Sequence, residues 1–512
     1  MAKSTVSSSL GPLAGAVDHR STSLEESDVV ARIWGKDHTV WRPDPAEITN
    51  RLGWLDVVPH MRPRVDELQR FATEAAHDFD TAVLLGMGGS SLAPEVLRET
   101  LGIRDGFLDL KVLDTTHPAT IARLDRSLDI ARTMFIVASK SGGTTETLSQ
   151  FAHFFERTGN NGDQFVAITD PDSPLEALAR ARGFRQTFLN PADIGGRYAA
   201  LSLVGLVPAA LIGADLDDLL GSAEAMARAC SASVPVAEDP GAWLGAILGE
   251  AARGGRDKLT LLLPGKMASF GGWVEQLIAE STGKDGTGIV PVVNEPVGPP
   301  EVYGPDRLFV AYGHPGGLSV LEARGDPVVR LAVGGLGAEF FRWEFATAIA
   351  GAVLGIQPFD QPNVEEAKRA TKEILDAGER DTAAVDDLGG LLDQLGDRDY
   401  VAIQAFVDPT RETAEILERA RLAIRDRHRV AATVGFGPRF LHSTGQLHKG
   451  GPDTGVFVQV VDAERDTDLA IPGADYTFGG LIDAQALGDL RALRARGRRV
   501  ARVHVDQLSD LG

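Results

Sequence analysis

The residues best placed to do chemistry stand in two glycine-rich turns. Ser139-Lys140-Ser141-Gly142-Gly143-Thr144-Thr145 follows a short apolar run, and Gly86-Met87-Gly88-Gly89-Ser90-Ser91 follows an earlier one. Glycine lets the backbone wrap an anion. The hydroxyls and the N–H groups of a helix starting just beyond then point at it, and the helix dipole adds attraction. Pro94 stands near the start of the helix after the earlier turn, a common first-turn position. One such turn is more often only a tight connection; two on strands of one sheet point to a bound anion such as a phosphate. Neither is a Walker loop, because the Gly-Lys-Ser/Thr spacing is absent. The earlier turn also lacks the final Gly or Ala of a dinucleotide fingerprint.

The elements that must hold these turns are readable. Residues 81–86, 110–113, 134–138 and 165–169 are strand-length apolar runs alternating with helical segments, and each ends in turn-forming or polar residues. That alternation predicts a parallel sheet with crossover helices, whose ligands bind beyond the carboxyl ends of the strands. A second set of strands is expected at 258–263, 307–312 and 328–333, closed by a helix over 338–354. A third lobe begins near 385, with strands at 400–407 and 430–434, a charged helix over 410–428 and a polar loop at 440–452. The expected division is a Ser-rich leader with short helices at 1–60 (25–34 among them), α/β units at 61–215 and 216–385 that repeat one design, and a C-terminal α/β lobe at 386–512.

Composition narrows the partners. A chain of 512 residues is long enough for about three domains. Its formal net charge of −21 repels nucleic acid and acidic membranes, so neither is expected as a partner. A small phosphorylated substrate fits, because a pocket can be positive on an acidic protein. The Arg-rich run 491–502 reads, on this background, as a solvated helix and strand end. Cys230 is the single cysteine and reads as a small buried apolar residue; no intramolecular disulfide or Cys-based zinc site is available. No His/Asp/Glu set has metal-ligand spacing, so neither metal nor cofactor is expected. The N-terminus lacks a secretory pattern, and no run approaches the ~18 apolar residues of a membrane span. A cytoplasmic location is expected.

Taken in order, the two turns resemble the sugar-isomerase (SIS) domain. Gly195-Gly196-Arg197-Tyr198, the run from Trp273 through Val-Glu-Gln-Leu-Ile-Ala-Glu-Ser-Thr-Gly to Lys284, and Pro358-Phe-Asp-Gln-Pro-Asn-Val-Glu-Glu-Ala-Lys368 are similar to signatures of the glucose-6-phosphate isomerase family. The whole chain most resembles the isomerase half of bifunctional transaldolase–isomerase proteins. The leader is too short for a transaldolase barrel, which needs roughly 200 residues, so isomerase alone is expected. The resemblance implies two SIS-type αβα sandwich subdomains plus the C-terminal lobe, and interconversion of glucose 6-phosphate and fructose 6-phosphate. Family members are commonly dimers, which makes a homodimer the expected assembly.

It also implies roles. Glu280 is the expected base, moving a proton between C2 and C1 through a cis-enediol. Gln276, one helical turn earlier, shares its face and would fix a substrate hydroxyl. Arg197, beside Gly196, would stabilise the enediolate. Ser139, Ser141 and Thr144 are the implied phosphate ligands, with Lys140 adding charge and Gly89 and Ser90 near the sugar or phosphate. Gln361 and Lys368 belong to the late motif, Lys368 assisting ring opening. The family's ring-opening histidine is where this chain departs. The usual interval holds only His314, in a poorly matching context, whereas Ser443-Thr444-Gly445-Gln446-Leu447-His448-Lys449 is similar to the family's Thr-Asn-Gly-Gln-His element with a residue inserted. His448, or His442 beside it, is expected to serve. His117 reads as ordering a His-Pro loop. A sugar-phosphate-binding regulator without turnover, and an isomerase of another sugar phosphate such as mannose 6-phosphate, are the alternatives. The intact Glu280, Arg197 and Lys368 set argues against the first.

Overall fold

Runs such as Thr81-Ala-Val-Leu-Leu-Gly86 and Thr133-Met-Phe-Ile-Val-Ala138 carry too much apolar surface to leave either face in water, so they become strands covered on both sides. A computed structural model describes residues 7–378, 384–509 and 511. Its strands are β1 (Ser7–Ser9), β2 (Thr81–Gly86), β3 (Asp109–Leu113), β4 (Thr133–Ala138), β5 (Phe165–Thr169), β6 (Gln186–Leu189), β7 (Lys258–Leu262), β8 (Val290–Val293), β9 (Arg307–Tyr312), β10 (Val328–Leu331), β11 (Tyr400–Phe406), β12 (Ala431–Phe436), β13 (Gly455–Val461) and β14 (Arg499–His504). They form three sheets, in the orders β3-β2-β4-β5-β6, β1-β10-β9-β7-β8 and β12-β11-β13-β14. Every pairing is parallel except that of β1 with β10.

The α/β class and the strands expected in each unit are present. β6, β8, β13 and β14 are additions, short or interrupted by polar residues in the sequence. The run 328–333 ends early as a strand, at Leu331. The helix expected over 25–34 is two helices, Ala14–Glu26 and Val29–Trp34, because Asp28 takes a left-handed conformation at φ 51°. The leader is not separate: β1 extends the second sheet as an antiparallel edge.

Two contacts fix the C-terminal lobe over the site. Ala279, Val290 and Val292 share a buried cluster with Tyr400, Leu447 and Phe457 of the third sheet's lobe. Phe478 and Leu481, at the start of the helix Phe478–Ala495, pack among Phe135, Val137 and Phe154 on the first sheet. Rings of Phe135 and Phe154 stack there at 4.8 Å, an arrangement worth about 0.5–1.5 kcal/mol beyond area burial. In the Arg-rich run, Arg494, Arg496, Arg498 and Arg499 pair with Asp386, Glu366, Asp453 and Asp399, so it is no basic patch. Among the described residues, no helix is long and apolar enough to cross a membrane.

Candidate active site

The anion-type turn lies between β4 and the helix Thr145–Arg157. Thr144 is that helix's N-cap residue, yet its hydroxyl makes no cap bond; Thr144 Oγ1 instead lies 2.9 Å from Ser139 Oγ. The helix's first N–H groups are left without a side-chain cap beside a cavity of about 570 Å³, which Ser141, Gly143, Thr144, Thr145 and Lys368 line. An uncapped helix start with surrounding hydroxyls is what a phosphate needs. Lys140 does not enter this cavity: its ammonium bonds Asp170 Oδ2 at 2.5 Å and the Ala192 carbonyl at 2.8 Å. It borders a smaller recess with Gly89, Ser90 and Gly196. There the two loops meet backbone to backbone, since a methyl on Gly89 would lie 2.2 Å from the Gly196 carbonyl oxygen.

Helix Ala268–Thr282 carries the expected base. One turn apart, Gln276 Nε2 donates to Glu280 Oε2 at 3.0 Å and to the His442 carbonyl at 2.8 Å. Gln276 Oε1 is buried with no partner among the described residues, an acceptor suited to a ligand hydroxyl. Arg197 Nε lies 3.5 Å from Glu280 Oε2. Its guanidinium is caged by the carbonyls of Pro358, Phe359 and Asp360 at 3.1–3.3 Å and by Gln361 Oε1. The loop around Asp360 is pinned from its other side by Lys284 Nζ, 2.7 Å from the Asp360 carbonyl and 2.5 Å from Oδ1. Burial, then the Arg197 charge, depress the Lys284 ammonium to about 8.

The two nominated histidines separate clearly. His448 is buried against Phe457, with ring centroids 5.1 Å apart, and its Nδ1 meets Gln404 Nε2 at 2.9 Å. Burial, helped by Lys449 and Arg498, pushes its titration well below the usual histidine range. It does not line the large cavity. His442 does, and its Nε2 lies 2.8 Å from Glu146 Oε1. His448 is therefore a core residue beneath the histidine loop. Of the two alternatives the sequence offers, His442 is the one that lines the cavity. His314 is exposed in the loop after β9, away from this cavity. His117 stands at the N-cap position of the helix Pro118–Ser127 without a side-chain cap bond, and its Nε2 instead meets Asp462 Oδ2 at 2.8 Å.

Glu146 is the residue sequence reasoning passed over. It stands in the first turn of its helix, directly after Thr144-Thr145, and was visible as the acid ending the second glycine-rich motif. Burial pushes its carboxyl up, but the charge and hydrogen bond of His442, its own backbone N–H and the charge of Lys368 together outweigh this and hold it below the usual range. Gln485 Nε2 also donates to Glu146 Oε1, at 2.8 Å. Its source is a C-terminal helix with no motif to announce it. The site thus combines an anion cradle, a carboxylate beside a fixed guanidinium, and a carboxylate-supported imidazole.

The family model described as phosphoglucose isomerase matches residues 55–301. A glucose-6-phosphate isomerase of Rubrobacter xylanophilus is 30% identical over 380 residues, covering 61% of this chain and 85% of its own. Among solved structures, a hypothetical protein of Thermus thermophilus superposes with a TM-score of 0.61 at 26% identity, covering 72% of this chain and all of its own. A glucose-6-phosphate isomerase of Chlamydia trachomatis gives the same TM-score at 18% identity, covering 71% of this chain and 86% of its own, a likeness of fold.

Proposed function

The chain belongs to the phosphoglucose isomerase family, and from that premise we propose how its own residues interconvert glucose 6-phosphate and fructose 6-phosphate. The phosphate is held by the hydroxyls of Ser141 and Thr144 and by the uncapped start of helix Thr145–Arg157. Anchoring a group that does not react orients the carbons that do. His442, with its Nε2 proton held by Glu146, opens the ring with Lys368. The C1–O5 bond breaks, O5 gains a proton, and O1 loses one to become the aldehyde oxygen.

Glu280 then removes the C2 proton. The electron pair moves into a C1–C2 double bond, and O1 becomes the enediolate oxygen that Arg197 stabilises. The O2 proton then passes to O1, the C2=O2 carbonyl forms as the C1–C2 double bond breaks, and Glu280 returns its proton to C1 to give the ketose. A fixed cation beside the developing charge lowers the transition state more than the ground state, and Arg197 is caged for that purpose. The observation carrying this reading is the Glu280 carboxylate between Gln276 at 3.0 Å and Arg197 at 3.5 Å.

The test is conversion of fructose 6-phosphate by the purified protein, read through coupled glucose-6-phosphate dehydrogenase, beside Glu280→Gln. Turnover should fall about 10²–10⁴-fold, the usual worth of a general base, while sugar-phosphate binding persists. Full activity in the variant would remove Glu280 from the mechanism. The reading extends to a cytoplasmic homodimer with units at 61–215, 216–385 and 386–512, supported by the separate sheets. Sedimentation and limited proteolysis test the assembly and the divisions.

A further inference from the structure

We propose that Gln485 is a positioning residue for ring opening: from the C-terminal lobe it fixes the Glu146 carboxylate and, through it, the tautomer and orientation of His442. This rests on the reading of His442 given above. Gln485 Nε2 and His442 Nε2 converge on one oxygen, Glu146 Oε1, each at 2.8 Å. The Gln485 amide has one workable orientation. Its Oε1 accepts from Thr116 Oγ1 at 2.7 Å; flipped, it would turn that oxygen onto a carboxylate that can only accept. Thr116 is fully buried and Gln485 and Glu146 nearly so, so water does not readily replace either bond.

The consequence falls on His442. A carboxylate held by one partner can swing about its side-chain torsions. Held by a second donor anchored in the core, it presents a fixed acceptor to the imidazole. That keeps the His442 proton on Nε2 and the lone pair on Nδ1, which has no hydrogen-bond partner among the described residues. The identity of the donor matters. A carboxylate at 485 would share a proton with Glu146, and a cation there would compete with the imidazolium. A neutral amide does neither. Lys368 lines the same cavity as Glu146 and His442, so the site already holds a positive charge there, whereas the Lys449 ammonium is buried against Asp489.

Gln485 also lies outside residues 55–301, the span of the family model. Its helix Phe478–Ala495 is seated on the first sheet through Phe478 and Leu481. The C-terminal lobe therefore reaches the chemistry through two elements: the loop bearing His442, and this helix, which orients its acid partner.

Ring opening can be read separately from proton transfer at C2. In a Glu280→Gln background, anomer exchange of glucose 6-phosphate, followed by exchange NMR, reads ring opening alone. In the otherwise native protein, solvent exchange at C2 of erythrose 4-phosphate, which cannot close a furanose ring, reads the Glu280 step alone. Gln485→Leu should slow anomer exchange about 10- to 100-fold, the loss of a hydrogen bond to a charged group, and leave C2 exchange within about twofold. Thr116→Val, which removes only the hydroxyl orienting the amide, should slow anomer exchange several-fold and serves if Gln485→Leu does not fold. Unchanged anomer exchange in the folded variants, or equal loss of both steps, would overturn the proposal. His442→Ala is the control. If it abolishes anomer exchange while Gln485→Leu leaves it unchanged, only the role of Gln485 fails; if it leaves anomer exchange intact, the reading of His442 fails and takes this inference with it.

Discussion

A methyl group on Gly88 would lie 2.7 Å from the His442 carbonyl oxygen and 2.9 Å from Gln276 Nε2, and Gly88 itself holds φ at +54°. The turn after β2, the helix bearing Glu280 and the loop bearing His442 therefore meet at a point with no room for a side chain. Gly88→Ala is strained in conformation and blocked in space, and backbone strain of this kind costs about 1–3 kcal/mol. The displaced neighbour is His442, so turnover should fall further than the lost stability accounts for. Thermal unfolding beside the coupled assay checks this. A variant that melts lower but turns over normally at 25 °C would show that the contact only supports the fold.

His442→Ala and His448→Ala should part company. The first should lower turnover of the closed sugar by about 10²-fold or more, as for loss of an acid–base group, with little change in melting temperature. The second removes a ring packed on Phe457 and bonded to Gln404. It should cost about 2–4 kcal/mol of stability and leave the turnover of the remaining folded protein near that of the parent. The reverse pattern would restore His448 to the chemistry.

This pair marks the limit of what the sequence discloses. β2, β5 and β9 are legible to the residue because buried parallel strands are short apolar runs between turn formers. Glu280, Gln276 and Arg197 are legible because they sit in local motifs, and one helical turn puts Glu280 and Gln276 on a shared face. His442 and His448 stand in one loop with similar neighbours in sequence. What separates them is which one a sheet from the C-terminal lobe covers, a tertiary fact. Gln485 is harder still: it comes within reach of Glu146 only because Phe478 and Leu481 seat its helix on a sheet several hundred residues earlier. Lys140 differs in the other direction. Its motif suits an anion, but Asp170, after the neighbouring strand, captures the ammonium first.

Arg197→Lys tests whether geometry or charge matters at the enediolate. The guanidinium bonds several backbone carbonyls at once while leaving Nε toward Glu280. An ammonium on a flexible stem cannot reproduce that planar set. Loss of a preorganised stabiliser of developing charge should lower kcat about 10²-fold with KM within about threefold. A change confined to KM would mean that Arg197 holds the substrate rather than the transition state.

Glu275 is next to Gln276 but lines a separate cavity of about 420 Å³ with Asp114, Asn294 and Arg439. Burial raises its carboxyl to about 7, against the opposing charges of Arg439 and Arg421. The sign follows from proton counting. Between the unfolded value of 4.5 and the folded value of about 7, the folded state binds the proton that the unfolded state has released, so stability falls as pH rises through that window. Above it, the full cost of the buried charge is present. Glu275→Gln keeps the shape and removes the titration. It should match the parent near pH 4.5 and be more stable at pH 8, by about 1–2 kcal/mol once screening by water in the cavity is allowed for. Chemical unfolding at the two pH values reads this directly. A variant less stable than the parent at pH 8 would mean that the ionised carboxylate is paired with Arg439 strongly enough to outweigh its burial.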